Sequence, residues 1–263
     1  MSDELTDAAV WARLRAATPA RIALGRVGNT LPLSAVLRFQ LDHARARDAV
    51  HAPFDADALA AALAPLPAIV VSSAAGDRAT YLRRPDLGRR LSDQGAARLA
   101  QAVAEDAGIS GCDVAIVVGE GLSAIGVEAG GAALVRALVA QLQDLTLAPV
   151  VIARGARVAL GDAIGAALRA RVVVMVIGER PGLSIADSLG IYMTFAPRIG
   201  RADSERNCIS NVHARGGLTP AAAAATLGRL LRASLQRGLS GVDLKDPGEA
   251  LPSPNLALDV MDE

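Results

Sequence analysis

The apolar run RVVVMVIG (171–178) breaks directly into the turn GERPGLS (178–184), and the polar cluster DSERNCISN (203–211) follows. A strand so rich in β-branched residues, with no polar position in its middle, is covered on both faces, as strands of a parallel sheet are. The chain must leave the sheet at Gly178, so Glu179 and Arg180 fall at the carboxyl end of the strand. In open parallel α/β sheets ligands collect at that end. The segment Arg171 to Asn211 is therefore predicted to carry a binding site.

Working outward, AIVVSS (68–73), DVAIVVG (113–119), PVVIA (149–153) and GIYMTFA (190–196) are further apolar runs of strand length. The segments between them are mostly helical in period, with helices predicted over about Ser92–Ala107, Leu122–Leu145, Arg157–Ala170 and Pro220–Arg237. Alternating strands and helices imply right-handed βαβ crossovers and a mostly parallel sheet covered on both faces. Before Pro67 the pattern is helical. Asp3 to Ala17 places Leu5, Val10, Trp11 and Leu14 on one side, and Thr30 and Pro32 open a long helix through Val36, Leu37 and Leu41. Asp55 to Leu63 is a short third helix. The fold class is α/β, with a helical N-terminal region at 1–66 and a Rossmann-like, three-layer α/β domain at 67–263. From Asp246 onward three prolines and little periodicity predict a mobile or draping tail.

At 263 residues the chain can bury a sizeable core, and with aromatic residues at 2% that core must be aliphatic. Lys+Arg and Asp+Glu both number 27, so no net field draws the protein to nucleic acid or an anionic membrane. Cys112 and Cys208 stand far apart without paired spacing, which argues against a disulfide scaffold or a structural zinc site. The first thirty residues show neither a secretory pattern nor a spanning run, and a reducing cytoplasm is expected.

No GxxxxGK[ST] motif and no GxGxxG after a strand is present, which disfavours a nucleoside triphosphatase or an ordinary nicotinamide enzyme. GEGLSAIG (119–126) follows a strand and has two readings. Its glycines admit a ligand close to the backbone at a helix N-terminus, or it is a plain tight turn with Ser123 in the first helical turn. The histidines, at 43, 51 and 213, have no G-x-S-x-G partner for hydrolysis. His43, beside Asp42, reads as a solvated helix residue. His213 lies in NVHARGG, superficially similar to D-x-H-x-x-G patterns that ligate cobalt, but Asn211 replaces the orienting aspartate, which argues against axial ligation. Cys208, among Glu205, Arg206, Asn207, Ser210 and Asn211, reads as part of a ligand-contact loop at a sheet edge. DRATYLRRPDLGRRLS (77–92), with five arginines, is either a solvated connection or a protein interface.

Seven collinear segments together resemble one family: ARIALGRVG (20–28), LRFQLDHARARDAV (37–50), YLRRPDLGRRL (81–91), GLS (121–123), RVALGDAIG (157–165), IGERPGL (177–183) and ERNCISN (205–211). The chain resembles the small, or light, subunit of ethanolamine ammonia-lyase over nearly all of its length. The resemblance implies a helical N-terminal part and a Rossmann-like domain. It implies a hetero-oligomer with a large (β/α)8-barrel subunit that holds ethanolamine, with adenosylcobalamin between the two. The family reaction turns ethanolamine into acetaldehyde and ammonia by radical chemistry, and the protein's part is to position the cofactor.

Carried over by motif, the implied cobalamin contacts are Val158, Glu179 and Cys208. No catalytic residue and no metal ligand is implied in this chain. A corrin is a large disc fringed with amides, so Val158 suits apolar contact and Glu179 suits hydrogen bonding at the rim. Two departures stand out. Glu120 occupies the place before GLS where the family has aspartate, and the long polar N-terminal extension of members packed into microcompartments is missing. Free cytoplasm is the simpler expectation, with microcompartment association the other. The alternative to the subunit reading is a stand-alone cobalamin-binding or sensing module without catalysis. An independent small-molecule enzyme would need a catalytic constellation that the sequence does not offer.

Overall fold

The computed structural model describes residues 7–246 and Gly248. Residues 3–6 of the first predicted helix, and the predicted C-terminal tail beyond Asp246 apart from Gly248, lie outside the described residues. Helices α1 (Asp7–Ala16), α2 (Leu33–His51) and α3 (Ala56–Leu63) precede strand β1 (Ala68–Ser72). Then come α4 (Arg78–Arg83), α5 (Asp93–Glu105) and β2 (Val114–Gly119). A short α6 (Ala124–Gly126) continues through a π-helical turn, Val127–Gly131, into α7 (Ala132–Gln141). The chain goes on through β3 (Val150–Arg154), α8 (Leu160–Ala167), β4 (Val172–Gly178), β5 (Leu189–Phe195), β6 (Arg206–Val212) and α9 (Pro220–Arg237).

The six strands lie in the order β1-β3-β2-β4-β5-β6. The first four are mutually parallel, while β5 runs antiparallel to β4, and β6 to β5. The reversal at β5 has a simple cause: the connection 179–188 contains no helix and is too short for a parallel crossover, which takes a dozen or more residues.

Alternation along the strands sorts the apolar side chains into two cores. Ile116, Val118, Ile152, Val174 and Val176 face one way, against Leu59 and Leu63 of α3, Leu134 and Leu138 of α7 and Leu227 and Leu231 of α9. Val117, Val151, Val173, Met175 and Ile177 face the other, against Leu99 of α5 and Leu160, Ile164 and Leu168 of α8. Each fully buried aliphatic side chain contributes roughly 1.5–3 kcal/mol, so two such cores hold the three-layer α/β sandwich without help from aromatics. Ala124–Gln141 is long and apolar enough to cross a membrane, but Leu134, Val135 and Leu138 within it are buried against the sheet, as a core helix requires.

Two features of this topology position the site. The helices after β2 and β3 pack on opposite faces although the strands are neighbours, which opens a crevice between their carboxyl ends. On the face that carries α5 and α8, β5 adds only Tyr192 to the apolar core and β6 adds nothing. The sheet surface there is left free beside α8.

β6 itself corrects the sequence reading. The stretch around Cys208 is an edge strand and not a contact loop. Its buried positions, Arg206, Ile209 and Val212, are three apart, with Arg206 on the face of Thr194 and Ile209 on that of Ile191, so the sequence shows no apolar alternation.

Candidate functional site

Glycines let the turns at the head of the sheet interlock. Gly121 has φ +55° and lies so close to β4 that a Cβ there would stand 2.2 Å from the Gly178 carbonyl oxygen. Leu122 N–H donates to that oxygen at 3.0 Å. Ser123 caps the following turn by accepting from Gly126 N–H at 3.1 Å and donates to Ala186 C=O at 2.6 Å. In GEGLSAIG the chain makes a tight turn, and chain-to-chain contact requires glycine at 121, while Gly121 and Leu122 also border a hollow.

Glu120 is 6% exposed, and its Oε1 accepts from Gly155 N–H at 2.7 Å. It thereby ties the end of β2 to the end of β3. Burial pushes its carboxyl above the usual range, against the hydrogen bond from Gly155 and the field of Arg78. Arg78 Nη1 stands 4.0 Å from Glu120 and donates to the Gly121 carbonyl at 2.7 Å, so α4 braces the same turn.

Next to this scaffold lie two adjoining hollows. One, of about 450 Å³, is lined by Gly121, Leu122, Arg157, Val158, Glu179 and Tyr192 among others. The second, of about 340 Å³, shares Arg157, Val158 and Tyr192 and extends to Cys208. The three residues expected from the resemblance, which sit in three separate motifs, therefore line one crevice. Val158 is at its centre, Glu179 on the β4 side and Cys208 on the β6 side.

The half-buried Glu179 is held in place. Its Oε2 accepts from Ser188 Oγ at 2.5 Å and from Asn211 N–H at 3.3 Å, while its own N–H donates to Ser188 C=O at 3.0 Å. Asn211 adopts φ +59°, a left-handed conformation that asparagine tolerates better than most residues. Two acceptor positions are thus used, and a carboxylate has about four. Tyr192 is pushed up to about 12 by burial, with Cys208 and Glu179 adding to the shift. Cys208 is exposed as a residue, yet its thiol rests against Tyr192, and that partial burial raises it. Both shifts favour the protonated forms, so the wall presents a phenol and a thiol beside Glu179.

Sequence reasoning missed the aromatic part. Tyr81 and Tyr192 are the chain's two tyrosines, and both line the crevice. Tyr81 is 1% exposed, donates its hydroxyl to Ala156 C=O at 3.1 Å, and has the guanidinium groups of Arg78 and Arg157 over its ring at 4.8 and 4.2 Å. The cation–π contact fixes Arg157, the neighbour of Val158. DRATYLRRPDLGRRLS is therefore partly internal scaffold, with Arg83, Arg84, Arg89 and Arg90 exposed.

Behind the crevice Arg206 forms a bidentate pair with Asp162 at 2.5 and 2.7 Å, both side chains at most 3% exposed. Arg206 also donates to Thr194 Oγ1 at 3.0 Å. The pair joins α8 to β6 and so sets Val158 against Cys208. His213 lies outside both hollows, where its Nδ1 accepts from Arg215 N–H at 3.2 Å. No cluster of three or more metal-ligating side chains occurs among the described residues.

The sequence model of the ethanolamine ammonia-lyase light chain family matches residues 8–245. A protein named ethanolamine ammonia-lyase small subunit from Bradyrhizobium diazoefficiens is 52% identical over 251 residues, covering 94% of each chain. One of the same name from Xanthomonas campestris pv. campestris is 51% identical over 91% of this chain and 88% of its own length. One from Azotobacter vinelandii is 52% identical over 91% of this chain and 89% of its own. With matches that run the length of the fold and take in every element around the crevice, the chain belongs to the ethanolamine ammonia-lyase light chain family.

Proposed function

We propose that this lyase subunit contributes one wall of an adenosylcobalamin site, against a large subunit that holds ethanolamine. The observation that carries the reading is the convergence of Val158, Glu179 and Cys208 on one crevice at the switch point of the sheet. The chemistry of the wall fits a corrin rim. Neutral amide N–H groups are donors, and Glu179 has acceptor capacity left after Ser188 and Asn211. Val158 and the ring of Tyr192 offer apolar contact, and the neutral phenol can donate to an amide oxygen.

Pockets that bury a drug-sized molecule run to roughly 300–1,000 Å³, so hollows of about 450 and 340 Å³ each suit part of a large disc. A second chain is needed to close over the rest. When bound, adenosylcobalamin supplies homolysis of its cobalt–carbon bond, the source of the radical that converts ethanolamine to acetaldehyde and ammonia. This chain's residues orient and retain; no acid, base or substrate contact is assigned to them.

The deciding experiment assays ethanolamine deamination with adenosylcobalamin for this chain, for a candidate large subunit, and for the two coexpressed. Activity is expected only from the copurified pair. Full activity of the large subunit alone, or tight cobalamin binding by this chain alone, would reject the shared-site reading.

Glu179→Ala tests the wall directly. Loss of one hydrogen bond to a charged acceptor costs about 1.5–3 kcal/mol, so cobalamin should bind the assembled mutant roughly ten- to a hundredfold more weakly. Subunit assembly should be unaffected. An assembled mutant that keeps wild-type affinity in equilibrium dialysis would remove the side chain from the site.

A further inference from the structure

Among the described residues fourteen large apolar side chains stand exposed, and ten of them fall between Val10 and Leu41. Leu33, Leu37 and Leu41 are spaced i, i+4, i+8 on α2 and are 70%, 54% and 51% exposed, so one whole stripe of the helix faces outward. Trp11 and Leu14 do the same on α1. Ala49 is the one buried residue of α2. An apolar stripe turned outward on a helix that buries so little of itself is the mark of an interaction surface.

The charge around the stripe selects the occupant. Residues 7–51 hold seven arginines against three aspartates, in a chain that is neutral overall. Asp42 is paired with Arg21 at 2.8 Å, which leaves six arginines against two aspartates. A second copy would set one basic face against another, so self-association is disfavoured. A fitting partner has an apolar strip flanked by carboxylates.

Position points to the same conclusion. Between the end of α1 and α2 runs a groove of about 410 Å³ lined by Ile22, Leu24, Leu31, Phe39, Leu183 and Ser184. Arg21 donates to Leu183 C=O at 3.4 Å. Leu183 is four residues beyond Glu179 in the loop that edges the crevice. A chain seated on the helices would border the crevice through that loop.

We infer that α1, α2 and their connection are the principal docking surface for the large subunit, which presents an acidic-rimmed apolar strip to them. The inference rests on the proposed small-subunit role. One partner then covers both the helices and the crevice lip, which couples assembly to closure of the cofactor site.

The test coexpresses the chain with the large subunit and compares Leu37→Glu and Leu41→Glu with Ile199→Glu, a control at a residue 82% exposed elsewhere on the fold. Both leucine variants should weaken association about thirtyfold or more, while the control stays within about twofold and the isolated variants unfold at the wild-type temperature. Arg38→Glu with Arg45→Glu should slow association and flatten its salt dependence. Leucine variants that assemble like wild type would overturn the inference. So would a wild-type homodimer lost in those variants, or a stripe found by solvent labelling to be covered by residues 249–263 and uncovered by their deletion. Failure of the wild-type chain to form any complex would reject the small-subunit role itself, and this surface with it.

Discussion

Arg206→Met is expected to lower the stability of the isolated chain by about 3–5 kcal/mol, the usual cost of breaking a buried ion pair from one side. The cost comes from Asp162, which is 1% exposed and would be left buried without its bidentate partner. Thr194 Oγ1 and the Arg201 carbonyl lose a donor in the same step. For a chain of this size the midpoint of thermal unfolding should fall by roughly 10 °C. The double variant Arg206→Met, Asp162→Leu should recover most of the loss, because replacing both charges removes the uncompensated one. A fall below about 1 kcal/mol in urea titrations of the single variant would show that the pair does not clamp the structure. The functional consequence is local. Asp162 lies one helical turn beyond Val158, and Arg206 is two residues before Cys208, so loosening the pair widens the crevice where α8 meets β6.

That pair also marks where sequence reasoning stops. β1 to β5 were legible because runs such as VVVMVIG are apolar at every position and end at glycine or a polar turn. The helix Pro220–Arg237 was legible at both ends, from Thr219 and Pro220 at its start to Gly238, at φ +70°, at its end. β6 was not, because one of its three buried residues is an arginine paired with a residue 44 positions away, a pairing that no local period encodes. The reversed direction of β5 was hidden for a related reason. Its apolar run has the length of its parallel neighbours, and it is the helix-free loop before it that forces the reversal.

At the site, Val158, Glu179 and Cys208 came from motif resemblance. That they share a crevice depends on strand order, which periodicity leaves open. Tyr81 and Tyr192 had a readable signal: in a chain with two tyrosines, one stands in strand GIYMTF on the opposite face from Ile191 and Met193. The contacts of Glu120 were legible only in the geometry. Its carboxylate reaches Gly155 and lies in the scaffold behind the crevice, where it fixes the spacing of two strand ends.

Gly178→Ala is the sharper probe of that spacing. A Cβ at Gly178 would stand 2.1 Å from the Ser123 carbonyl oxygen and 2.3 Å from that of Glu120. Both obstacles are backbone, so no rotamer change relieves the clash and the whole GEGLS turn must move off β4. Overpacking of this kind costs about 1–3 kcal/mol, and the bond from Leu122 N–H to Gly178 C=O adds about 1 kcal/mol if it breaks, for a total of about 2–4 kcal/mol. Gly182→Ala is the matched control in the next turn, where the nearest atom would be 3.3 Å away, and should cost under about 1 kcal/mol. The two variants should also separate in cobalamin retention by the assembled complex. Displacing the turn moves Gly121 and Leu122 along one wall of the crevice and Glu179 along the next, so the Gly178 variant should lose at least as much affinity as Glu179→Ala, although the carboxylate is intact. Amide exchange in 119–124 and 188–190 should rise together if the interlock is real. Wild-type stability and unchanged exchange in Gly178→Ala would mean that the turn can yield without consequence, and that the crevice is positioned by the helices alone.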